Sequence, residues 1–258
     1  MKHMLFVSSR FRLVYRPIPK CASTTMVKLL MDLSGVEYEG HPRQFFYENQ
    51  PIVKRYGFER IDVEGDQLSD AYQRYQDYHW FSVVRDPYAR VLSNYRNKLN
   101  RYAKEFATGK YVRGKISQFL KGPRHWNDAN SAARSIGQYL SFEDFVSGLQ
   151  ESGVHFDAHY VPQHDLLGCD TVAYDQLIRL EEMDAGIATL LQQIGVDPSE
   201  AGEVAMQNAS VRDREFDLLY TDATKQAVQQ IYADDFRVLG YHGTDLDDEH
   251  DLVHQRAA

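Results

Sequence analysis

Cysteine is scarce in this chain: Cys21 and Cys169 are the only two among 258 residues. Neither a disulfide framework nor a Cys-x-x-Cys metal site can be built from them. Long apolar runs are also lacking. No segment has eighteen apolar residues in succession, so no integral membrane segment is expected. Residues 1–10 hold too short an apolar run for a secretory signal. The expectation is a cytoplasmic protein, or a chain whose targeting segment has been removed. An excess of positive charge is missing as well, since the formal net charge is −8. General nucleic-acid binding needs a basic face and is not expected. A long polyanionic polysaccharide is disfavoured more weakly, because a local basic cleft is compatible with a negative total. There are no internal repeats and no low-complexity tracts. What remains, 43% hydrophobic and 26% charged, is the composition of a soluble globular protein. The length suffices for one large α/β domain with a substantial core.

Glycine is absent from the most informative stretch, Pro17-Ile18-Pro19-Lys20-Cys21-Ala22-Ser23-Thr24-Thr25. An apolar run, Phe11 to Tyr15, precedes it, and a helical pattern of Met26, Leu29, Leu30 and Leu33 follows. The stretch is therefore a strand-to-helix turn. Unpaired N–H groups at a helix N-terminus and the helix dipole favour an anion. Lys20 adds a mobile positive charge, and Ser23, Thr24 and Thr25 add short donors. A phosphorylated or sulfated nucleotide is the ligand class. The turn is not G-x-x-x-x-G-K-[ST], because it has no glycine and two residues intervene between its lysine and the first hydroxyl. An ordinary turn with a Ser or Thr N-cap is the plain alternative.

The remaining pattern alternates strand and helix, which predicts a mainly parallel sheet covered on both faces. Strand 11–16 leads through the turn to a helix over 24–34. Residues 41–77 are polar and aromatic-rich. A strand over 79–84 precedes Arg85-Asp86-Pro87, and Pro87 suits the first turn of a helix over 87–100. Residues 101–137 read as a basic, glycine-containing insert. Ser141 opens a helix with a capping-box pattern. A strand over 171–178, a helix over 181–194 and a last helix over 221–236 follow, and the tail 243–258 is polar. Trp80 and Phe81 are expected in the strand core.

The second informative stretch runs from Val83 to Arg96. Arg85, at a strand end, can fork two donors onto a phosphate, and Ser93 lies two turns into the helix that follows. Two such turns suit a ligand with two separate phosphate positions, held beyond the carboxyl ends of parallel strands. Here the chain resembles the sulfotransferases that use 3′-phosphoadenosine 5′-phosphosulfate (PAPS), in particular the carbohydrate branch, sulfotransferase family 2. Its P-K-x-A-S-T-T-like loop corresponds to Pro19–Thr25, and its R-D-P-[FY]-x-R-[LV]-x-S-x-[YF] motif to Arg85–Tyr95. H-[WY]-x-P-Q corresponds to His159–Gln163, and Y-x-x-D-F-x-x-x-G-Y to Tyr232–Tyr241. The four motifs, in order, span about residues 11–241.

The resemblance implies a P-loop-like three-layer α/β/α fold, a single domain over 1–242, PAPS as donor and 3′-phosphoadenosine 5′-phosphate (PAP) as product. It places the 5′-phosphosulfate on Pro19, Lys20, Cys21, Ala22, Ser23, Thr24 and Thr25. The 3′-phosphate falls to Arg85 and Ser93, and an N-x-S turn at Asn208 and Ser210, ahead of Arg212 and Arg214, lies near the nucleotide. Golgi members carry a membrane anchor and disulfides that this sequence lacks. The acceptor is a hydroxyl of a carbohydrate or small metabolite, chosen by the 41–77 and 101–137 stretches, with Trp126 a candidate contact. In sulfuryl transfer, negative charge builds on the oxygen of the leaving 5′-phosphate, and Lys20 is the candidate to stabilise it. Candidates for the base are His159 first, then His164 and His41, with Glu39, Glu48 and Asp157 open. Cys21 reads as a packing residue, and no metal is expected because the histidines and carboxylates lack ligand spacing. Two other readings stand beside this one: a P-loop-type kinase with a degenerate loop and Asp86 as its acid, or a non-catalytic nucleotide-binding domain. The oligomeric state is open.

Overall fold

The structure is a computed structural model that describes residues 2–107, 141–197 and 219–241. The insert from residue 108 onward with Trp126, the Asn208-Ala209-Ser210 turn with Arg212 and Arg214, and the tail 243–258 lie outside these residues. The chain divides into two compact units. The first holds, of the described residues, 2–86 and 163–197, and the second 87–107, 141–162 and 219–241.

The first unit is built on a five-stranded sheet in the order β3-β1-β2-β4-β5. Its strands are β1 (Lys2–Ser8), β2 (Leu13–Arg16), β3 (Phe58–Glu64), β4 (His79–Val84) and β5 (Gln176–Arg179). β2 pairs in parallel with β4, and β4 with β5. β1 runs antiparallel to both β2 and β3, so four of the five strands share one direction. This is the mainly parallel α/β sheet expected from the sequence. Every residue of β2 is buried, as are Trp80 to Val84 of β4, which requires cover on both faces. The helices of this unit are α1 (Ser23–Leu33), α2 (Pro42–Glu48), α3 (Gln50–Arg55), α4 (Leu68–Arg74), α7 (Gln163–Leu167) and α8 (Met183–Gln193). Gly186 lets α8 approach β5: a Cβ there would stand 2.4 Å from the Ile178 side chain.

Three differences from the sequence reading stand out. β1 was not expected; it forms a hairpin with β2 through a turn that contains no Gly, Asn or Pro, closed instead by Arg12 at φ 51°. The 41–77 stretch, expected to select the acceptor, contributes β3 and three helices. Its Phe46 and Phe58 are fully buried and pack on Phe6 of β1 and on each other, with centroids 4.8 Å apart for Phe6–Phe46 and 4.9 Å for Phe46–Phe58. The strand expected over 171–178 begins only at Gln176.

The second unit is helical: α5 (Pro87–Ala107), α6 (Phe142–Ser152), α9 (Asp222–Ile231) and α10 (Ala233–Val238). Ser141 caps α6 by accepting from the Asp144 N–H, and Thr221 and Thr224 form a capping box on α9. The single last helix expected over 221–236 breaks at Tyr232 (φ −113°), whose hydroxyl donates to the Tyr160 carbonyl at 2.9 Å. Tyr88, Tyr95, Phe142, Phe145, Tyr220 and Phe236 form the aromatic core of this unit. Among the described residues, no helix is long and apolar enough to cross a membrane.

One buried polar cluster anchors the first unit. Arg16, at the end of β2, donates from Nε to the Leu166 carbonyl at 2.7 Å and from Nη1 to the Met4 carbonyl at 2.6 Å, and its Nη2 stands 2.9 Å from His3 Nδ1. Burial, with the Arg16 charge beside it, lowers the His3 pKa from 6.5 to about 4. Above pH 6.5, His3 is neutral in both the folded and unfolded chain. Below that, the unfolded chain takes up a proton that the folded one refuses. Stability therefore falls as pH drops from 6.5 towards 4, by on the order of 3 kcal/mol. His3→Gln should remove this part of the slope: urea unfolding at pH 7 and pH 4.5 should show a smaller acid loss in the variant than in the wild type.

Candidate active site

The register Leu13↔His79 through Arg16↔Ser82 puts the carboxyl ends of β2 and β4 side by side. The chain leaves β2 towards β3 on one side and leaves β4 towards β5 on the other, so the strand order reverses between them. That is where an open α/β sheet forms a ligand crevice. The turns that open there are residues 17–22 and 85–86. Tyr15 and Phe81, paired across the two strands, stack with centroids 5.0 Å apart, and Ser82 Oγ donates to the Arg16 carbonyl at 2.6 Å.

The first turn does without glycine by placing ordinary residues in left-handed conformations, Lys20 at φ 70° and Ala22 at φ 50°. Each costs on the order of 1 kcal/mol. Alternating left-handed geometry is suited to gathering backbone N–H groups around an anion, but the Cys21 N–H donates to the Ile18 carbonyl at 3.2 Å and closes the turn itself. Ala22 is the N-cap of α1 and offers no side-chain cap, so the N–H groups of the first turn depend on other acceptors. Ser23 and Thr25 are buried and Thr24 is half-buried. Cys21 is 0% exposed, in keeping with a packing residue.

The second turn reaches the first. Arg85 Nη1 donates to the Lys20 carbonyl at 3.3 Å. The Asp86 N–H donates to Glu181 Oε1 at 2.9 Å. Arg43, which the sequence reading did not single out, donates from Nη1 to Ser23 Oγ at 3.4 Å, with its guanidinium 5.5 Å from the Tyr47 ring centroid. Gln163 was another omission. It is quoted in a motif, but nothing in the sequence distinguishes a buried tether from a surface amide.

The base candidates are spread over both units. His159 lies in the second unit, 46% exposed at its side chain, with Nδ1 2.7 Å from Asp157 Oδ1. An ionised carboxylate only accepts, so in neutral His159 the Nδ1 carries the proton and Nε2 keeps its lone pair. The backbone here is held firmly. The His159 carbonyl accepts from Asn94 Nδ2 at 2.7 Å and Arg90 Nη2 at 3.2 Å, and the Val161 carbonyl from Arg90 Nη1 at 2.9 Å. Arg90 and Asn94 share a face of α5 through their i,i+4 spacing. His41 is the N-cap of α2, its Nδ1 accepting from the Gln44 N–H at 3.4 Å. His164 pairs with Asp165 at 3.0 Å in the first unit. Glu39 is exposed, and Glu48 accepts from Gln44. Ser93 is half-buried on α5, in the second unit. Among the described residues, no group of three or more His, Cys, Asp or Glu stands close enough to hold a metal ion.

The sequence model of the Sulfotransferase family matches residues 3–242. This chain belongs to that family. Carbohydrate sulfotransferase 14 of Mus musculus is 25% identical over 199 residues, covering 77% of this chain and 48% of that protein. Carbohydrate sulfotransferase 10 of Mus musculus is 22% identical over 265 residues, covering 94% and 68%. Carbohydrate sulfotransferase 12 of Mus musculus is 25% identical over 261 residues, covering 92% and 59%. This sulfotransferase-family chain thus spans about half to two thirds of the length of these relatives. No solved structure matches it.

The left-handed turn gives a direct test of its strain. Ala22→Gly should raise stability by up to about 1 kcal/mol, because glycine adopts positive φ without penalty. Ala22→Val should lower it by about 1–2 kcal/mol, because a β-branched residue fits that region worst. Urea unfolding of the two variants should give changes of opposite sign.

Proposed function

We propose that this chain is a PAPS-dependent sulfotransferase that sulfates a hydroxyl of a carbohydrate. The observation that carries the reading is the contact of Arg85 with the Lys20 carbonyl. It sets two cationic strand-to-helix turns within reach of one bisphosphorylated nucleotide. The residues of the first turn fit a phosphosulfate through their backbone N–H groups, and those of the second fit a 3′-phosphate through a guanidinium. The names of the relatives, carbohydrate sulfotransferases, support a carbohydrate as the acceptor class.

PAPS, when bound, supplies an activated sulfuryl group. Lys20 provides the positive charge that stabilises the 5′-phosphate as it gains charge, an interaction stronger in the transition state than in the ground state. His159 accepts the acceptor's hydroxyl proton at Nε2. Asp157 fixes the tautomer and stabilises the imidazolium that results.

Titration of the protein with PAP in a calorimeter should give saturable binding in the micromolar range or tighter. No heat at high micromolar nucleotide, or preference for ATP over PAP, overturns the reading. With PAPS and a carbohydrate panel, Lys20→Ala should lower kcat by about 10²–10³. His159→Ala should lower kcat by about 10²–10⁴. Asp157→Asn should fall between His159→Ala and wild type.

A further inference from the structure

Gln163 closes the H-Y-x-P-Q stretch and is 0% exposed. Its side chain behaves like one rung of a β-ladder. Oε1 accepts from the Arg85 N–H at 2.9 Å, and Nε2 donates to the Arg85 carbonyl at 2.7 Å. The same Oε1 accepts from Cys21 Sγ at 3.3 Å. Pairing of β4 with β5 ends at Val84↔Arg179, so Arg85 is the first residue past the parallel ladder. A side-chain amide there continues the ladder by one step and fixes both backbone polar groups of that residue.

We propose that Gln163 is the positioning residue for Arg85, and through it sets the preference for a 3′-phosphorylated nucleotide. Fixing the N–H and carbonyl of Arg85 fixes its Cα–Cβ direction, which aims the guanidinium at the side of Lys20 where the two turns meet. Without Gln163 both backbone groups lose a buried partner, and the turn must rearrange to find others or water. The weaker S–H···O bond from Cys21 ties the same amide to the phosphate turn. The inference rests on the PAPS reading above.

The test compares PAP with AMP, which lacks only the 3′-phosphate. Gln163→Leu keeps the size of the side chain but makes neither bond to Arg85. In the wild type, PAP should bind more tightly than AMP. In Gln163→Leu, the PAP Kd should rise by about 10- to 100-fold, the range for losing one well-placed charged hydrogen bond, while AMP is held nearly as before. Equal weakening of both nucleotides, or an unchanged PAP-to-AMP ratio, overturns the proposal. Should the variant not fold, hydrogen exchange of the wild-type protein decides. The Arg85 amide donates to Gln163, so its exchange reports on that bond. PAP should slow it and AMP should not; slowing by both alike, or by neither, overturns the inference. A wild-type protein that fails to bind PAP at all would sink the donor assignment. A wild type that binds PAP, with the ratio intact in Gln163→Leu, sinks only the role of Gln163.

Discussion

The parallel pairing of β2 with β4 is the constraint on which the candidate site depends. Lys20 and Arg85 are 65 residues apart in the chain, and nothing local brings them together. Parallel strands cannot be joined by a tight turn, so the intervening chain must travel out and back. Here it does so through α1, α2, α3, the edge strand β3 and α4. When it returns as β4, register decides whether the two turns meet. The stacked pair Tyr15–Phe81 and the bond from Ser82 to the Arg16 carbonyl hold that register. A one-residue slip would send each inward side chain to the opposite face, and Arg85 would leave from a different place relative to Lys20.

Buried polar side chains then refine what the sheet places coarsely. Arg16 spends its donors on the carbonyls of Met4 and Leu166. Gln163 holds both backbone groups of Arg85. Within the helical unit, Arg90 and Asn94 hold the carbonyls of His159 and Val161. Gln163, Arg90 and Asn94, all removed from water, satisfy main-chain groups of irregular segments, whereas Arg16 ties a strand to a short helix. Such groups are expensive to leave unmade in the interior, so each tether makes one local backbone arrangement much better than its neighbours.

The motif-bearing elements could be read from sequence because their signals are local. β4 is a run of mostly apolar residues broken only by Ser82 after His79, α1 and α6 carry helical spacing, and the Arg85-to-Tyr95 pattern sits on a strand-to-helix handover. β1 was missed because its hairpin turn lacks the usual turn residues and relies on Arg12 in a left-handed conformation. β3 was missed because four of its seven residues are charged, as befits an edge strand. The 41–77 stretch was read only as polar and aromatic-rich, because pattern alone does not say that Phe46 and Phe58 meet Phe6. The base was ambiguous among several candidates because spacing does not tell their partners: a carboxylate for both His159 and His164, a helix N-terminus for His41. Gln163 carried no signal at all, since its partners are backbone atoms 78 residues distant.

The side chains at the left-handed positions of the first turn have a further consequence. A glycine-rich cradle samples many shapes when empty and surrenders that freedom each time a ligand enters. Lys20 and Ala22 have far fewer backbone alternatives, so this turn has already settled into its working shape as the chain folds. The conformational entropy is lost once, during folding, so an anion bound there would meet a rigid seat. Its release would then gain little from loosening of the turn itself and would be governed by the groups that grip it electrostatically.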